Sequence, residues 1–304
     1  MIDRRQVLTA LSALPALSFA APAASAATAR LTSGISRGIA ALEARSHGRL
    51  GVSVLDSASG KTFAYRGDER FAMCSTFKAL VAGLILKRVD QGQERLDRRI
   101  PYGREVLLAH SPATEKHVGQ GMTVGALCEA TVTLSDNAAA NLLLMSFGGP
   151  PALTTFVRGL GDKVTRLDEY EPTLNVVRPG EIHDTTSPNA MLATLRALTL
   201  GPVLSPASRR QLVDWLVANQ TGDARLRAGL PADWKKKGWK VGDKTGSWGD
   251  DKFGTTNDIA VVWPPGKPPL LITAYLSRST LDNDGRNAVI AEVARLVTAE
   301  GFGS

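Results

Sequence analysis

Two cysteines and four histidines in 304 residues leave little material for the chemistries those side chains support. Cys74 and Cys128 are too few for a disulfide framework and are expected as free thiols. His47, His110, His117 and His183 are scattered, with no H-x-x-x-H or C-x-x-C spacing, so a zinc hydrolase is unsupported and no metal or other cofactor is implied. A membrane span is missing as well: the longest apolar run, Val7 to Ala21, is short and interrupted by Pro15, whereas a span needs about 20 apolar residues. No repeat or low-complexity tract is present. With 43% hydrophobic and 21% charged residues the composition is globular, and the length allows one large domain or two interwoven layers.

The first 26 residues differ from the rest. Arg4-Arg5 precede the apolar run, and Ala24-Ser25-Ala26 supplies a small-residue cleavage site, which together read as a signal peptide over residues 1–26. Export to a bacterial periplasm is therefore expected, and the paired arginines suit the twin-arginine route. Cleavage would remove Asp3, Arg4 and Arg5, taking the net charge from +7 to +6. Part of that excess sits in Lys235-Lys236-Lys237 with Lys240, between and beside Trp234 and Trp239. Basic residues interleaved with aromatics can bind nucleic acid, but a solvated loop accounts for so short a run, and no nucleic-acid partner is expected. Nothing requires more than a monomer.

Periodicity divides the chain into three stretches. Ile35, Ile39, Leu42 and Glu43 fit an amphipathic helix, followed by strand-like alternation at Leu50, Val52 and Val54. Helical patterns then dominate, over residues 78–89, 124–133, 138–145, 151–160 and 191–198, with no long strand among them. Strand character returns over 257–263 and 270–276, before a last helix over 286–296. The economical fold is α/β, of the α+β type: an antiparallel sheet built from both chain ends and flanked by helices, with an all-helical domain inserted. The expected boundaries are 27–66 plus 217–304 for the α/β domain and 67–216 for the helical domain, with the active site in the cleft between them.

Three short motifs carry chemistry. In Ser75-Thr76-Phe77-Lys78 the serine and lysine stand three apart, so a helix places both on one face, where the amine can take the hydroxyl proton. Ser135-Asp136-Asn137 precedes an apolar helix and offers a hydroxyl and an amide, although an ordinary N-cap looks the same. Lys244-Thr245-Gly246 lies just before the C-terminal strands, where lysine and hydroxyl suit a carboxylate and Gly246 permits close backbone approach; a plain turn is the bland alternative. Gly34-Ile35-Ser36-Arg37-Gly38 also fits the nucleophile-elbow pattern, but the segment reads as helix with no strand before it, and the match is taken as chance.

In that order, S-x-x-K, S-D-N and K-T-G are the signature shared by class A β-lactamases and penicillin-binding proteins. From about residue 33 to 296 the sequence resembles the class A serine β-lactamases. The resemblance extends to Met73-Cys74 before the serine, Thr114-Glu115-Lys116-His117, Arg166-Leu167-Asp168, Glu171-Pro172-Thr173-Leu174-Asn175, Asp184-Thr185-Thr186 and Val241-Gly242-Asp243 before the lysine. It implies hydrolysis of the β-lactam amide bond of penicillins and cephalosporins through a serine acyl-enzyme, and hence antibiotic resistance. By resemblance, Ser75 is the nucleophile, and Lys78 and Glu171 share its deprotonation, with the first base left open. Ser135 relays a proton to the lactam nitrogen, and Glu171 with Asn175, on an omega-shaped loop, activates the deacylating water. The N–H groups of Ser75 and Ser247 form an oxyanion hole. Asn137 holds the side-chain amide, Lys244, Thr245 and Arg225 the carboxylate, with Gly246 beside them and His110 at the mouth of the cleft. A D-Ala-D-Ala peptidase or a β-lactam sensor is the alternative, against which Glu171 and Asn175 argue.

Four departures from the family pattern stand out. Glu169 occupies a place where many relatives have an arginine paired to the aspartate at Asp184, so the loop is expected to be looser unless Arg166 or Arg178 substitutes. The cysteine that would bridge Cys74 falls near Trp248, and the partner of Cys128 near Ala82, so neither disulfide forms. Residues 235–239 read as an insertion, and Asp250-Asp251-Lys252 as a lengthened turn, with no function assigned to either.

Overall fold

The alternation at Leu50, Val52 and Val54 and the two C-terminal apolar runs meet in one sheet. In the computed structural model of the chain, which describes residues 23–303 with side chains from Gly34, helix α1 (Ala23–Ser46) leads into β1 (Arg49–Asp56) and β2 (Thr62–Tyr65). Residues 1–22 of the expected signal segment lie outside the described residues. There follow β3 (Phe71–Ala72), α2 (Phe77–Asp90), β4 (Arg99–Ile100), β5 (Met122–Thr123), α3 (Val124–Thr133), α4 (Asn137–Ser146), α5 (Gly149–Gly159), β6 (Thr185–Thr186), α6 (Pro188–Thr199) and α7 (Pro206–Val217). The chain ends with β7 (Lys240–Gly249), β8 (Gly254–Trp263), β9 (Leu270–Ser279) and α8 (Asn283–Ala299).

The main sheet has the order β2-β1-β9-β8-β7 and antiparallel pairing, so β1 pairs with β9 from Arg49↔Ser277 to Asp56↔Leu270 and closes the two chain ends on each other. Strands β1, β8 and β9 are buried along nearly their whole length because both faces are covered. On β8 and β9, Ala260, Val262, Leu270, Ile272, Ala274 and Leu276 join one core with α1 and α8. The intervening Ile259, Val261, Leu271 and Tyr275 join a second core with the central helices, as the two-residue strand period requires. Helix α2 buries ten of its 14 residues, as a helix apolar all round must, and Lys78 is among them.

Two elements depart from the sequence reading. Helix α7 carries a start signal that periodicity passed over: the Ser205 hydroxyl caps the Ser208 N–H at 3.2 Å and Pro206 occupies the first turn. Lys244-Thr245-Gly246 is not in a turn but in the middle of β7, opposite Ile259, Asp258 and Asn257 of β8. Gly34-Ile35-Ser36-Arg37-Gly38 is helical within α1.

Candidate active site

Ser75 lies in a 3-10 turn, Cys74–Thr76, that runs directly into α2. Lys78, one turn on, is fully buried with its Nζ 2.9 Å from Ser75 Oγ. The amine also donates to the Ser135 carbonyl at 2.8 Å and to Asn137 Oδ1 at 2.5 Å, and lies 3.0 Å from Glu171 Oε1. Burial pulls the Lys78 ammonium below its ordinary pKa, while the Glu171 carboxylate opposes that pull. Glu171 Oε1 accepts from the Ser75 hydroxyl at 3.2 Å. One hydroxyl thus stands within reach of two proton acceptors that also contact each other.

At Ser135-Asp136-Asn137 the N-cap belongs to Asp136, which leaves Ser135 and Asn137 to line the cleft. Asp136 is the N-cap of α4, accepting the Ala139 N–H at 2.9 Å, and the same carboxylate accepts the N–H groups of Ala113 and Thr114 at 2.9 Å each. Ser135, held at φ 59, turns its hydroxyl to Lys78 Nζ at 3.4 Å and Lys244 Nζ at 3.1 Å. Asn137 Nδ2 donates to the Ala109 carbonyl at 2.9 Å. His110 lines the cleft, is exposed, and has Nε2 2.8 Å from the Leu134 carbonyl.

Strand β7 brings Lys244, Thr245, Gly246 and Ser247 past the serine turn. A Cβ at Gly246 would stand 2.8 Å from the Met73 carbonyl oxygen and 3.2 Å from Ser75 N, so only glycine lets the strand approach the N–H of Ser75 so closely. Lys244 is fully buried, and desolvation, with Lys78 and Arg225 nearby, pushes its ammonium well below the usual lysine range. Thr245 Oγ1 is 2.5 Å from Thr221 Oγ1. Arg225 reaches this strand from a separate loop: its guanidinium donates to the Gly246 and Asn257 carbonyls at 2.9 and 2.8 Å and to Ser247 Oγ at 2.5 Å. Its charge borders the cleft chiefly by way of Ser247.

The 166–184 loop supplies the last wall. Asn175 Nδ2 donates to Glu171 Oε2 at 2.6 Å, while Asn175 Oδ1 is buried with no protein partner. Asn141 clamps the backbone of Glu171 from α4, its Nδ2 donating to the Glu171 carbonyl at 2.9 Å and its Oδ1 accepting the Glu171 N–H at 3.0 Å. Neither arginine named as a substitute pairs with Asp184: Arg166 bonds Asp168, at 2.5 Å, and Arg178 approaches Glu181 at 3.9 Å. The neck of the loop closes instead by reciprocal carboxylate-to-backbone bonds. Asp184 Oδ1 accepts the N–H groups of Asp168 and Glu169 at 2.8 and 3.0 Å, and Asp168 Oδ2 accepts that of Asp184 at 3.0 Å.

All twelve residues singled out in the sequence converge here. Ten of them, with Thr221, line a cleft of about 290 Å³; Lys78 and Lys244 are buried behind its wall and enter it through Ser75 and Ser135. The arrangement can deprotonate a serine, hold an anion beside Thr245 and Ser247, and present a carboxylate to a water. Sequence reasoning missed Asn141, although it stands four residues after Asn137 on the same helix face, and Asp136 as the knot of the 113–114 segment. Cys74 and Cys128 are both free and buried. Lys235, Lys236 and Lys237 are exposed, while Trp234 and Trp239 pack against the core beneath α8.

Residues 34–300 match the model of the "Beta-lactamase enzyme family". The chain is 48% identical to β-lactamase L2 of Stenotrophomonas maltophilia, covering 97% of this chain and 98% of that one. It is 45% identical to the carbapenem-hydrolysing β-lactamase KPC of Klebsiella oxytoca, over 99% and 97% respectively. Among solved structures, an ancestral class A β-lactamase is 66% identical with a TM-score of 0.83, covering 87% of this chain and 99% of that one. The class A protein PenP from Rhodopseudomonas palustris, itself described as a putative β-lactamase, is 57% identical with the same TM-score, over 87% and 98%.

Proposed function

The chain belongs to the class A serine β-lactamases, which hydrolyse the β-lactam amide bond through a serine acyl-enzyme and confer antibiotic resistance, and on that premise we propose the part each side chain plays. Ser75 attacks the lactam carbonyl, its proton passing to Lys78 or to Glu171, both within 3.2 Å of the hydroxyl. Burial disfavours the Lys78 ammonium and so favours the neutral amine that can accept the hydroxyl proton. The N–H groups of Ser75 and Ser247 stabilise the oxyanion, where loss of one donor typically costs about 3–4 kcal/mol. Ser135, between the two buried amines, returns a proton to the lactam nitrogen as the ring opens.

Substrate binding uses the other wall. Lys244, Thr245 and, through Ser247, Arg225 hold the substrate carboxylate; that incoming charge offsets the desolvation that weakens the Lys244 ammonium. Asn137 binds the side-chain amide, Gly246 keeps the strand close to Ser75, and His110 borders the entrance. Glu171 and Asn175, whose Oδ1 is an open acceptor, orient and activate the water that releases the acyl group.

The wider organisation follows the same reading: residues 1–26 direct export to the periplasm by the twin-arginine route, 27–66 with 217–304 form the α/β domain, and 67–216 the helical one. The mature chain acts as a monomer on small β-lactams, without nucleic acid. No helix among the described residues is long and apolar enough to cross a membrane.

The observation that carries the assignment is Ser75 Oγ, hydrogen-bonded to a buried lysine and a buried carboxylate that touch each other. Steady-state hydrolysis of a chromogenic cephalosporin by the mature chain, run beside Glu171→Gln with intact-mass detection, tests it. Rapid turnover by wild type, with the variant slowed by about 10²–10⁴-fold and carrying a stalled adduct on Ser75, is the expected result. A long-lived adduct on the wild type would remove Glu171 from the mechanism and point to a penicillin-binding peptidase.

A further inference from the structure

A second cavity, also of about 290 Å³, shares Asn175 with the catalytic cleft and is otherwise lined by different residues. Residues 176–181 of the loop form one wall, and Trp248, Asp250 and Phe253, around the β7–β8 turn, form another. Four arginines line it, Arg49, Arg70, Arg178 and Arg278, against two carboxylates, Glu181 and Asp250. Both acids are already engaged with backbone: Glu181 Oε2 accepts the Arg178 N–H at 2.9 Å, and Asp250 Oδ1 accepts those of Lys252 and Phe253 at 2.8 Å each.

The arginines are poorly neutralised. Only Arg49 is hydrogen-bonded to a carboxylate, Glu69 at 2.9 Å. Arg70 donates to a carbonyl and a hydroxyl, of Val164 and Thr185, at 2.9 Å each; burial and the charges of Arg166 and Arg158 work against its own charge. Arg178 comes no nearer than 3.9 Å to Glu181, and Arg278 lies 4.6 Å from the Phe253 ring with no ion pair among the described residues. An anion placed among them supplies the close counter-charge that Arg178 and Arg278 lack, and the guanidinium fork matches a carboxylate in two-point contact.

We propose that this cavity is an anion subsite for the substrate itself, receiving a carboxylate carried on the acylamino side chain of a β-lactam whose ring sits at Ser75. The proposal rests on the assignment of the cleft above and extends it to a substrate class. A tethered organic acid fits better than a free oxyanion, because Phe71, Trp248 and Val177 give the cavity apolar walls and Asn175 joins it to the cleft. The lengthened Asp250-Asp251-Lys252 turn thereby acquires a role, fixing Phe253 beneath Arg278.

The test compares two cephalosporins that differ only in the oxime substituent, carboxyalkyl against methyl, in wild type, Arg178→Gln, Arg278→Gln and the double variant. Both side chains are exposed and outside the catalytic set. The double variant is expected to lose about tenfold in kcat/KM on the carboxyalkyl substrate, through KM, while the methyl substrate stays within about twofold. Equal changes on both substrates, or on neither, overturn the subsite while leaving the catalytic assignment standing. Failure of the wild type to hydrolyse either substrate, or a chromogenic cephalosporin, overturns both. Inorganic phosphate provides the second arm: if it raises the wild-type Tm but not that of the double variant, with substrate discrimination unmoved, the cavity serves free anions and the proposal falls.

Discussion

Strand β7 reaches the cleft as one side of a ten-pair ladder with β8, whereas the 166–184 loop reaches it with a single 3-10 turn, Thr173–Asn175, as its regular structure. The strand positions Lys244 to Ser247 by backbone hydrogen bonds and by contact with the serine turn, neither of which depends on any one side chain. The loop positions Glu171 by side-chain clamps: Asn141 on its backbone, Asn175 on its carboxylate, and Asp168 with Asp184 at the neck. Damage to the strand should therefore disturb every chemical step, while damage to the loop should separate one step from another.

Among changes that leave the reacting side chains in place, the largest effect is expected at Gly246. In Gly246→Ala the new methyl meets backbone, the Met73 carbonyl at 2.8 Å and Ser75 N at 3.2 Å, and no flexible side chain can give way. A displacement of about 1 Å between the proposed nucleophile and oxyanion donors costs about 100-fold in kcat/KM, and the shift needed to relieve these contacts is expected to cost up to that much. Acylation and deacylation should fall together in rapid-quench measurements. If only one falls, the strand is not the common support of both steps.

Asn141→Ala tests the loop side. It removes both bonds to the Glu171 backbone and leaves a buried N–H and C=O to find other partners, for a stability cost of about 1–3 kcal/mol. If Lys78 takes the Ser75 proton, as one of the two proposed routes has it, acylation should remain within about threefold of wild type while the acyl-enzyme accumulates, because Glu171 is then needed only in the second step. Loss of acylation to the same extent would erase the distinction between the two walls.

The same contrast explains what was legible in the sequence. Ser75 and Lys78 were readable because a spacing of three on a helix is itself a geometry. The sheet built from both ends was readable because its strands are buried on both faces. Strand β7 was not: Gly242-Asp243-Lys244-Thr245-Gly246 has neither alternation nor a β-branched run, and its strand state comes from pairing with β8. The bonding of Arg225 by way of Ser247, and the Asn141 clamp on Glu171, join positions 22 and 30 residues apart, which no local pattern records. The closure of the neck was not legible for a related reason: the Asp168 and Asp184 carboxylates accept backbone N–H groups, and no residue pattern marks such bonds.

That neck gives the smallest effect and the finest test. Asp184 is almost fully buried, and desolvation first, then the like charges of Asp168 and Glu169, raise its carboxyl above the ordinary 3.8 despite two backbone donors. For an acid whose folded-state pKa is raised, the penalty is present at neutral pH and disappears as the pH falls through that pKa, so Asp184 weakens the neck most in neutral solution. Asp168 behaves oppositely: against burial, Arg166 and the Asp184 N–H hold it low, and its contribution is lost only in acid. Glu169→Arg replaces a like charge with a counterion at an exposed position, which limits the gain to about 1 kcal/mol, or about 2 °C in Tm, at pH 7. The gain should shrink as the pH is lowered through the titration of Asp184, and differential scanning across that range would show whether the sign is right. A firmer neck should also cost about two- to fivefold in kcat/KM on bulky oxyimino-cephalosporins while sparing penicillins. Equal efficiency of wild type and Glu169→Arg on those cephalosporins would mean that the carboxylate-to-backbone bonds already hold the loop as firmly as a salt bridge does, and that its width is set elsewhere.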